Sequence, residues 1–201
     1  MWLALAAVFV VVAATGVGSN HAEAKATLVA FGDSYVHPGA NAVTHGQRPW
    51  VALLREPLRN LGHPGDEVAA TLARVRRAGT SFDLVVVEVG INDVRRSGDD
   101  PALLAAFRRD FGALLDRLSL AQRVVVVPPL PVVSWGTHGS EAALLAHRGV
   151  ELSLAAAHPN VVVADPLGLW RVDAMLLPDG LHPDAAGRAL IAATVTAALL
   201  A

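Results

Sequence analysis

Leu28-Val29-Ala30-Phe31-Gly32-Asp33-Ser34-Tyr35 passes from a run of apolar side chains straight into Gly-Asp-Ser. Four apolar residues cut off by a turn signal read as a strand buried on both faces of a parallel sheet. In open α/β sheets, ligands gather just beyond the carboxyl ends of such strands. Ser34 therefore stands where a sheet delivers a side chain to chemistry. The reading sets the fold class as α/β, and the remaining chain is searched for partners to that hydroxyl.

Downstream, the pattern alternates. After a strand at 27–31 comes a Gly/Pro/His-containing loop over 35–47, then a helix expected over 50–58 with Trp50, Leu53, Leu54 and Leu58 on one face. Asn60-Leu61 makes at best a very short strand, Gly62-His63-Pro64-Gly65-Asp66 a turn, and Asp66 is the expected cap of a helix at 67–77. The β-branched run within 82–89 and the valines of 123–127 are central strands, and 160–164 is the last one. Helices are expected from Asp100-Pro101 to 118, from Ser140-Glu141 to 157, and from the cap Asp184 over 185–200. This alternation predicts one domain over residues 25–201. Its architecture is a three-layer α/β/α sandwich around a parallel, about five-stranded flavodoxin-like sheet.

Upstream, residues 2–17 are almost wholly apolar and are followed by Ala22-Glu23-Ala24. An apolar core before a small-x-small site is the layout of a secretory signal peptide, cut after Ala24 or Ala26. No Lys or Arg precedes the run, and its length approaches a bilayer span, so residues 1–24 also fit a retained N-terminal membrane anchor with membrane association through residues 2–18. Either reading puts the domain in a secreted or extracytoplasmic (cell-envelope) location.

The 201 residues are 53% hydrophobic with a formal net charge of −2, which leaves no electrostatic footprint for nucleic acid. The arginine pairs Arg76-Arg77, Arg95-Arg96 and Arg108-Arg109 read as solvated faces. The absence of cysteine excludes disulfides, zinc–thiolate sites, a cysteine nucleophile and a lipoprotein anchor. His21, His37, His45, His63, His138, His147 and His158 show no metal-ligand spacing and read as surface or cleft residues, so no metal is expected.

Four short blocks follow successive elements: Gly32-Asp33-Ser34-Tyr35, Gly62-His63-Pro64-Gly65-Asp66, Gly90-Ile91-Asn92-Asp93 and Asp179-Gly180-Leu181-His182-Pro183. A serine hydroxyl needs a base within hydrogen-bond reach, and histidine titrates near neutrality. Asp179, three residues before His182, can orient and stabilise that imidazole in a tight turn. Asp93 reads as structural. No serine lies in Gly-x-Ser-x-Gly, which disfavours an ordinary α/β-hydrolase.

In these four ordered blocks the chain resembles the SGNH, or GDSL-type, hydrolase superfamily, from about residue 27 to the C-terminus. The resemblance implies a cofactor-independent serine esterase with Ser34 as nucleophile, His182 as base and Asp179 as its orienting carboxylate. It implies an oxyanion hole from the backbone N–H groups of Ser34 and Gly65 and the side-chain amide of Asn92, with Gly62 the rival for the second block. Such donors are worth about 3–4 kcal/mol each. The expected substrate is a small-molecule, lipid or glycan ester, with short acyl chains favoured because so small a domain has little room for a lid. Val132, Val133 and Trp135 are candidate walls of the acyl pocket. A carbohydrate O-acetylesterase or acetyltransferase, and a silent membrane-tethered glycan-binding domain, are the alternatives. Two features depart from the family pattern. Tyr35 replaces the commoner Leu, an alteration expected to affect packing only, and the stretch before Gly65 is short, which predicts an abbreviated second strand.

Overall fold

The computed structural model describes residues 27–39, 46–54, 58–79 and 81–201. The reading of residues 1–24 as signal or anchor lies outside the described residues, as do His21 and His45. Five strands, β1 (Leu28–Gly32), β2 (Leu58–Asn60), β3 (Leu84–Glu88), β4 (Arg123–Val127) and β5 (Val161–Val163), form one parallel sheet in the order β2-β1-β3-β4-β5. This is the flavodoxin-like order, and it reverses direction between β1 and β3. The loop carrying Ser34 and the segment carrying Asn92 leave the sheet at that reversal.

The β-branched strands dictate the layers. Successive side chains point to opposite faces, so Leu28, Ala30, Val86 and Val125 enter one apolar cluster while Val29, Phe31, Val85 and Val124 enter the other. Helices α1 (Val68–Ala78) and α3 (Pro101–Arg117), with Val150 of α4 (Glu141–Ala156), close the second face. Helix α5 (Ala185–Leu200) and a 3-10 turn at Trp50–Leu53 close the first. Both faces of the sheet are apolar along the central strands, so the sheet itself presents its polar groups at the strand ends.

Several expected boundaries hold. Asp100 accepts from the N–H groups of Ala102 and Leu103, Ser140 from that of Ala143, and Asp184 from that of Gly187, capping α3, α4 and α5 as their positions suggest. Strand β2 is three residues long, the abbreviation the short second block implied. The helix expected over 50–58 is a correction: among the described residues of this stretch, Trp50–Leu53 form a 3-10 turn and Leu58 pairs with Leu28 in the sheet. Pro57 sits one residue before that strand. A proline disfavours helical backbone at the residue before it, and sheet pairing claims Leu58 despite the helical spacing of the apolar residues.

A second correction concerns the cap of α1. Asp66 is not the cap; it takes the guanidinium of Arg74 at 2.8 Å. Instead both carboxylate oxygens of Asp93, from a different element, receive the Val68 N–H at 3.1 and 3.3 Å. Asp93 is thus structural, as expected. Its segment opens a short helix, α2 (Ile91–Ser97). His147 also departs from a surface reading. It is fully buried, sharing hydrogen bonds with the Ala143 carbonyl and Ser97 Oγ, against the ring of Phe107.

Burial pushes the Asp93 carboxyl up to about 8, against the Val68 N–H, which favours its charged form. A carboxyl raised on folding keeps its proton in the native state after the unfolded chain has lost it. Stability therefore falls as pH rises from the unfolded value near 4 toward 8, by about 1.4 kcal/mol per pH unit per such group. We expect urea unfolding to show lower stability at pH 8 than at pH 5, and Asp93→Asn, which keeps an acceptor without the charge, to flatten part of that slope. An unchanged slope in Asp93→Asn would refute the assignment.

Candidate active site

Each side chain of the site is fixed by backbone that the sequence makes locally. At the end of β1, a Cβ on Gly32 would lie inside contact distance of the Glu88 carbonyl oxygen and 2.6 Å from Val36 Cγ2, so only glycine lets the chain turn there against β3. Asp33 is fully buried. Its Oδ1 accepts the Tyr35 N–H at 2.9 Å, and its carbonyl accepts from Val36 and His37. This turn presents Ser34, which is 6% exposed.

The turn at the other end of the chain brings the partner. Asp179 Oδ1 accepts the N–H groups of Leu181 and His182 at 2.9 and 3.0 Å, while Oδ2 meets His182 Nδ1 at 2.6 Å. His182 Nε2 lies 2.9 Å from Ser34 Oγ. With Nδ1–H donated to the carboxylate, Nε2 is left as the acceptor for the serine O–H. Partial burial raises the Asp179 carboxyl, but the hydrogen bonds from the His182 ring and the two N–H groups outweigh it and hold it down at about 2. Asp179 is therefore charged at neutral pH. Such an arrangement can take a proton from the hydroxyl and stabilise the imidazolium that results.

The turn is itself clamped. The Gly180 carbonyl accepts the N–H groups of Val133 and Ser134 at 2.8 Å each, and Leu177 N–H donates to the His182 carbonyl. The Tyr35 hydroxyl donates to the Leu181 carbonyl, and its ring lies 5.7 Å from that of His182. Tyr35 thus does more than alter packing: it ties the serine loop to the histidine turn.

The second and third blocks meet beside this pair. Of the two candidate glycines, Gly62 gives its N–H to Asn60 Oδ1 at 2.9 Å. Gly65 holds φ at +77°, and its N–H, like that of Ser34, donates to no acceptor among the described residues. Asn92, in the first turn of α2, donates from Nδ2 to Asp33 Oδ2 and to the Asp66 carbonyl, both at 3.1 Å. The structure therefore joins Ser34, His182 and Asp179 directly and links Asn92 to them through Asp33. Burial, together with the charge of Asp66, raises the Asp33 carboxyl to about 7 against the Tyr35 N–H and Arg95.

A small pocket opens on Ser34 and His182 between Pro49, Pro183 and Arg188, and a groove of about 440 Å³ opens along Gly65 and Asn92. Of the expected acyl-pocket walls, Val132 is instead in the core, Val133 is exposed, and Trp135 packs half-buried against the core cluster. Among the described residues, no group of three or more acidic or histidine side chains is arranged to hold a metal ion. Sequence reasoning missed the Tyr35 tether, the Asp33–Asn92 link and the Gly180 clamp. A tyrosine where leucine is commoner was the one available signal.

Comparisons with known proteins agree with the fold. The model of the GDSL-like lipase/acylhydrolase family matches residues 30–190. A lipase/acylhydrolase from Enterococcus faecalis is 25% identical, with a TM-score of 0.67 over 86% of this chain and 94% of its own. An α/β hydrolase from the metagenome of Lake Arreo is 24% identical with a TM-score of 0.69, over the same shares. An acetylxylan esterase from Geobacillus stearothermophilus is 20% identical with a TM-score of 0.65, over 87% and 94%. No curated protein matches the chain.

Tyr35→Phe keeps the ring and removes the tether. It is expected to cost about 1–2 kcal/mol in urea unfolding and to slow ester turnover several-fold with little change in KM. Turnover equal to wild type would show that the tether does not position His182.

Proposed function

The chain belongs to the GDSL-like lipase/acylhydrolase family and is an ester-bond hydrolase; on that premise we propose that it is a serine esterase working through an acyl-enzyme on short-chain or small exposed esters. The observation that carries this reading is the continuous contact from Ser34 Oγ to His182 Nε2 at 2.9 Å and from His182 Nδ1 to Asp179 Oδ2 at 2.6 Å.

In the proposed mechanism Ser34 Oγ attacks the acyl carbonyl as His182 Nε2 takes its proton. Asp179, ionised and hydrogen-bonded to Nδ1, stabilises the imidazolium. The tetrahedral oxyanion is met by the N–H groups of Ser34 and Gly65, which have no competing acceptor to give up. Asn92 joins them when the substrate oxygen replaces one of its two present acceptors. His182 returns the proton to the leaving alcohol. Water then repeats the sequence on the acyl-enzyme, releasing the acid and restoring Ser34. The proton taken from Ser34 leaves with the alcohol, one from water restores the Ser34 hydroxyl, and His182 ends the cycle as it began it.

Small esters are favoured by the small pocket beside Ser34 and His182. Trp135 is the proposed wall for the acyl chain, because it follows directly on the Val133–Ser134 segment that clamps Gly180. Trp135→Ala should therefore shift chain-length preference among p-nitrophenyl esters. The extracytoplasmic location remains a proposal resting on the apolar run at 2–17; the exported protein would begin at Lys25 or Thr27 if that run is removed.

Ser34→Ala, with the fold verified by circular dichroism, is expected to lower kcat on p-nitrophenyl acetate by at least about a thousandfold. Equal rates in wild type and Ser34→Ala would sink the serine mechanism. Acetylated xylan in the same panel separates glycan esters from simple acyl esters.

A further inference from the structure

Arg95 departs from the solvated reading of the arginine pairs. Its neighbour Arg96 is exposed and pairs with Glu67 at 2.6 Å, and Arg76, Arg77, Arg108 and Arg109 are exposed on α1 and α3. Arg95 is half-buried, its Nε is shielded from water without an acceptor, and its guanidinium meets no carboxylate among the described residues. It follows Asn92 by three positions on α2, which puts the two on one helix face with Cβ atoms about 5–6 Å apart. The side chain lies under the 135–139 loop, where a Cβ on Gly136 would fall 3.4 Å from Nε, and it lines the groove that also holds Gly65 and Asn92.

The acidic groups around the groove are already satisfied. Glu67 is taken by Arg96, and Asp66 by Arg74 and His63. Asp93 is spent on Val68 N–H, and Asp33 is held by Asn92 and Tyr35 N–H. His138 is the remaining titratable group at the rim. Asp33 feels the Arg95 charge only from a distance, without a hydrogen bond between them; guanidinium donors left without an acceptor in a polar groove suit a carboxylate, whose geometry fits two parallel N–H donors.

We propose that Arg95 binds a carboxylate carried by the acyl group, so that the favoured substrates are half-esters of short dicarboxylic acids. The inference rests on the esterase reading above. Its direction follows from the tetrahedral intermediate. The leaving oxygen must lie at His182 Nε2, on the side of the pocket with Pro183 and Arg188, and the oxyanion lies at the Ser34 and Gly65 N–H groups. The acyl substituent takes the remaining direction, away from His182 and along the groove toward Arg95. Arg95 stands three residues, about 4.5 Å along the helix axis, beyond Asn92, so half-esters with three or four methylenes are the lengths to test.

The test compares methyl hydrogen glutarate and methyl hydrogen adipate with methyl pentanoate and methyl hexanoate, by titrating the acid released. A further pair, the acetyl ester of 3-hydroxypropanoate against propyl acetate, carries the charge on the alcohol side. Wild type should favour the half-esters over their neutral partners by about tenfold or more in kcat/KM, a ratio that shrinks as ionic strength rises. Arg95→Gln should bring that ratio near one, Arg95→Lys should restore part of it, and Arg109→Gln should leave it unchanged. A ratio near one in wild type, a preference on the alcohol side instead, or a ratio surviving in Arg95→Gln overturns the proposal. Calorimetric binding of free glutarate to wild type and to Arg95→Gln, each verified as folded by thermal melting, reads the site without turnover. If no ester is hydrolysed, the esterase reading falls, and the binding difference alone then decides whether the carboxylate site stands.

Discussion

The site depends on one short turn, from Asp179 to Pro183, being held rigid. A histidine that must face a serine 148 positions earlier cannot be aimed by its own rotamer alone. The protein immobilises the backbone that carries it. Asp179 accepts the Leu181 and His182 N–H groups, the Gly180 carbonyl takes the Val133 and Ser134 N–H groups, and Leu181 receives the Tyr35 hydroxyl. The contacts come from the loop after β4, from the loop after β1 and from the turn itself. The two loops leave the carboxyl ends of parallel strands, so the sheet register sets the distance between histidine and serine.

The dry sheet explains why polar groups crowd at one edge. Valines fill both faces of β3 and β4, leaving carboxyls only at the strand ends, and there Asp33, Glu88 and Asp93 are buried. Burial raises all three, Glu88 well above its ordinary value with Asp33 and Glu151 adding to the effect. Asp179 is the exception, because hydrogen bonds to its charged form exceed the cost of its partial burial. Neighbouring carboxyls are thus separated into groups that favour the neutral state and one that stays ionised, and the ionised one touches His182.

Much of this was legible in the sequence, because it was written in local signals. Strands with continuous β-branched runs, caps at Asp100, Ser140 and Asp184, three blocks that follow strands and a fourth just before the last helix all depend on nearby residues. What escaped depends on tertiary partners. Leu58 joins a sheet because β1 lies beside it, Asp93 caps a helix 25 residues earlier in the chain, and Tyr35 and Gly180 find partners across the site. Arg95 looked like half of a charged pair; its burial comes from the 135–139 loop crossing over it. Single-residue chemistry is readable from type and spacing, whereas the satisfaction of a given N–H or guanidinium requires the fold.

The central claim is that Ser34 is the nucleophile, activated by His182. Covalent labelling with an alkyl fluorophosphonate, read by intact mass and peptide mapping, tests it without presuming a substrate. One adduct per chain is expected, on the peptide containing Ser34. No adduct should form in Ser34→Ala, and His182→Ala should label far more slowly. An adduct on another residue, or undiminished labelling in Ser34→Ala, would contradict it.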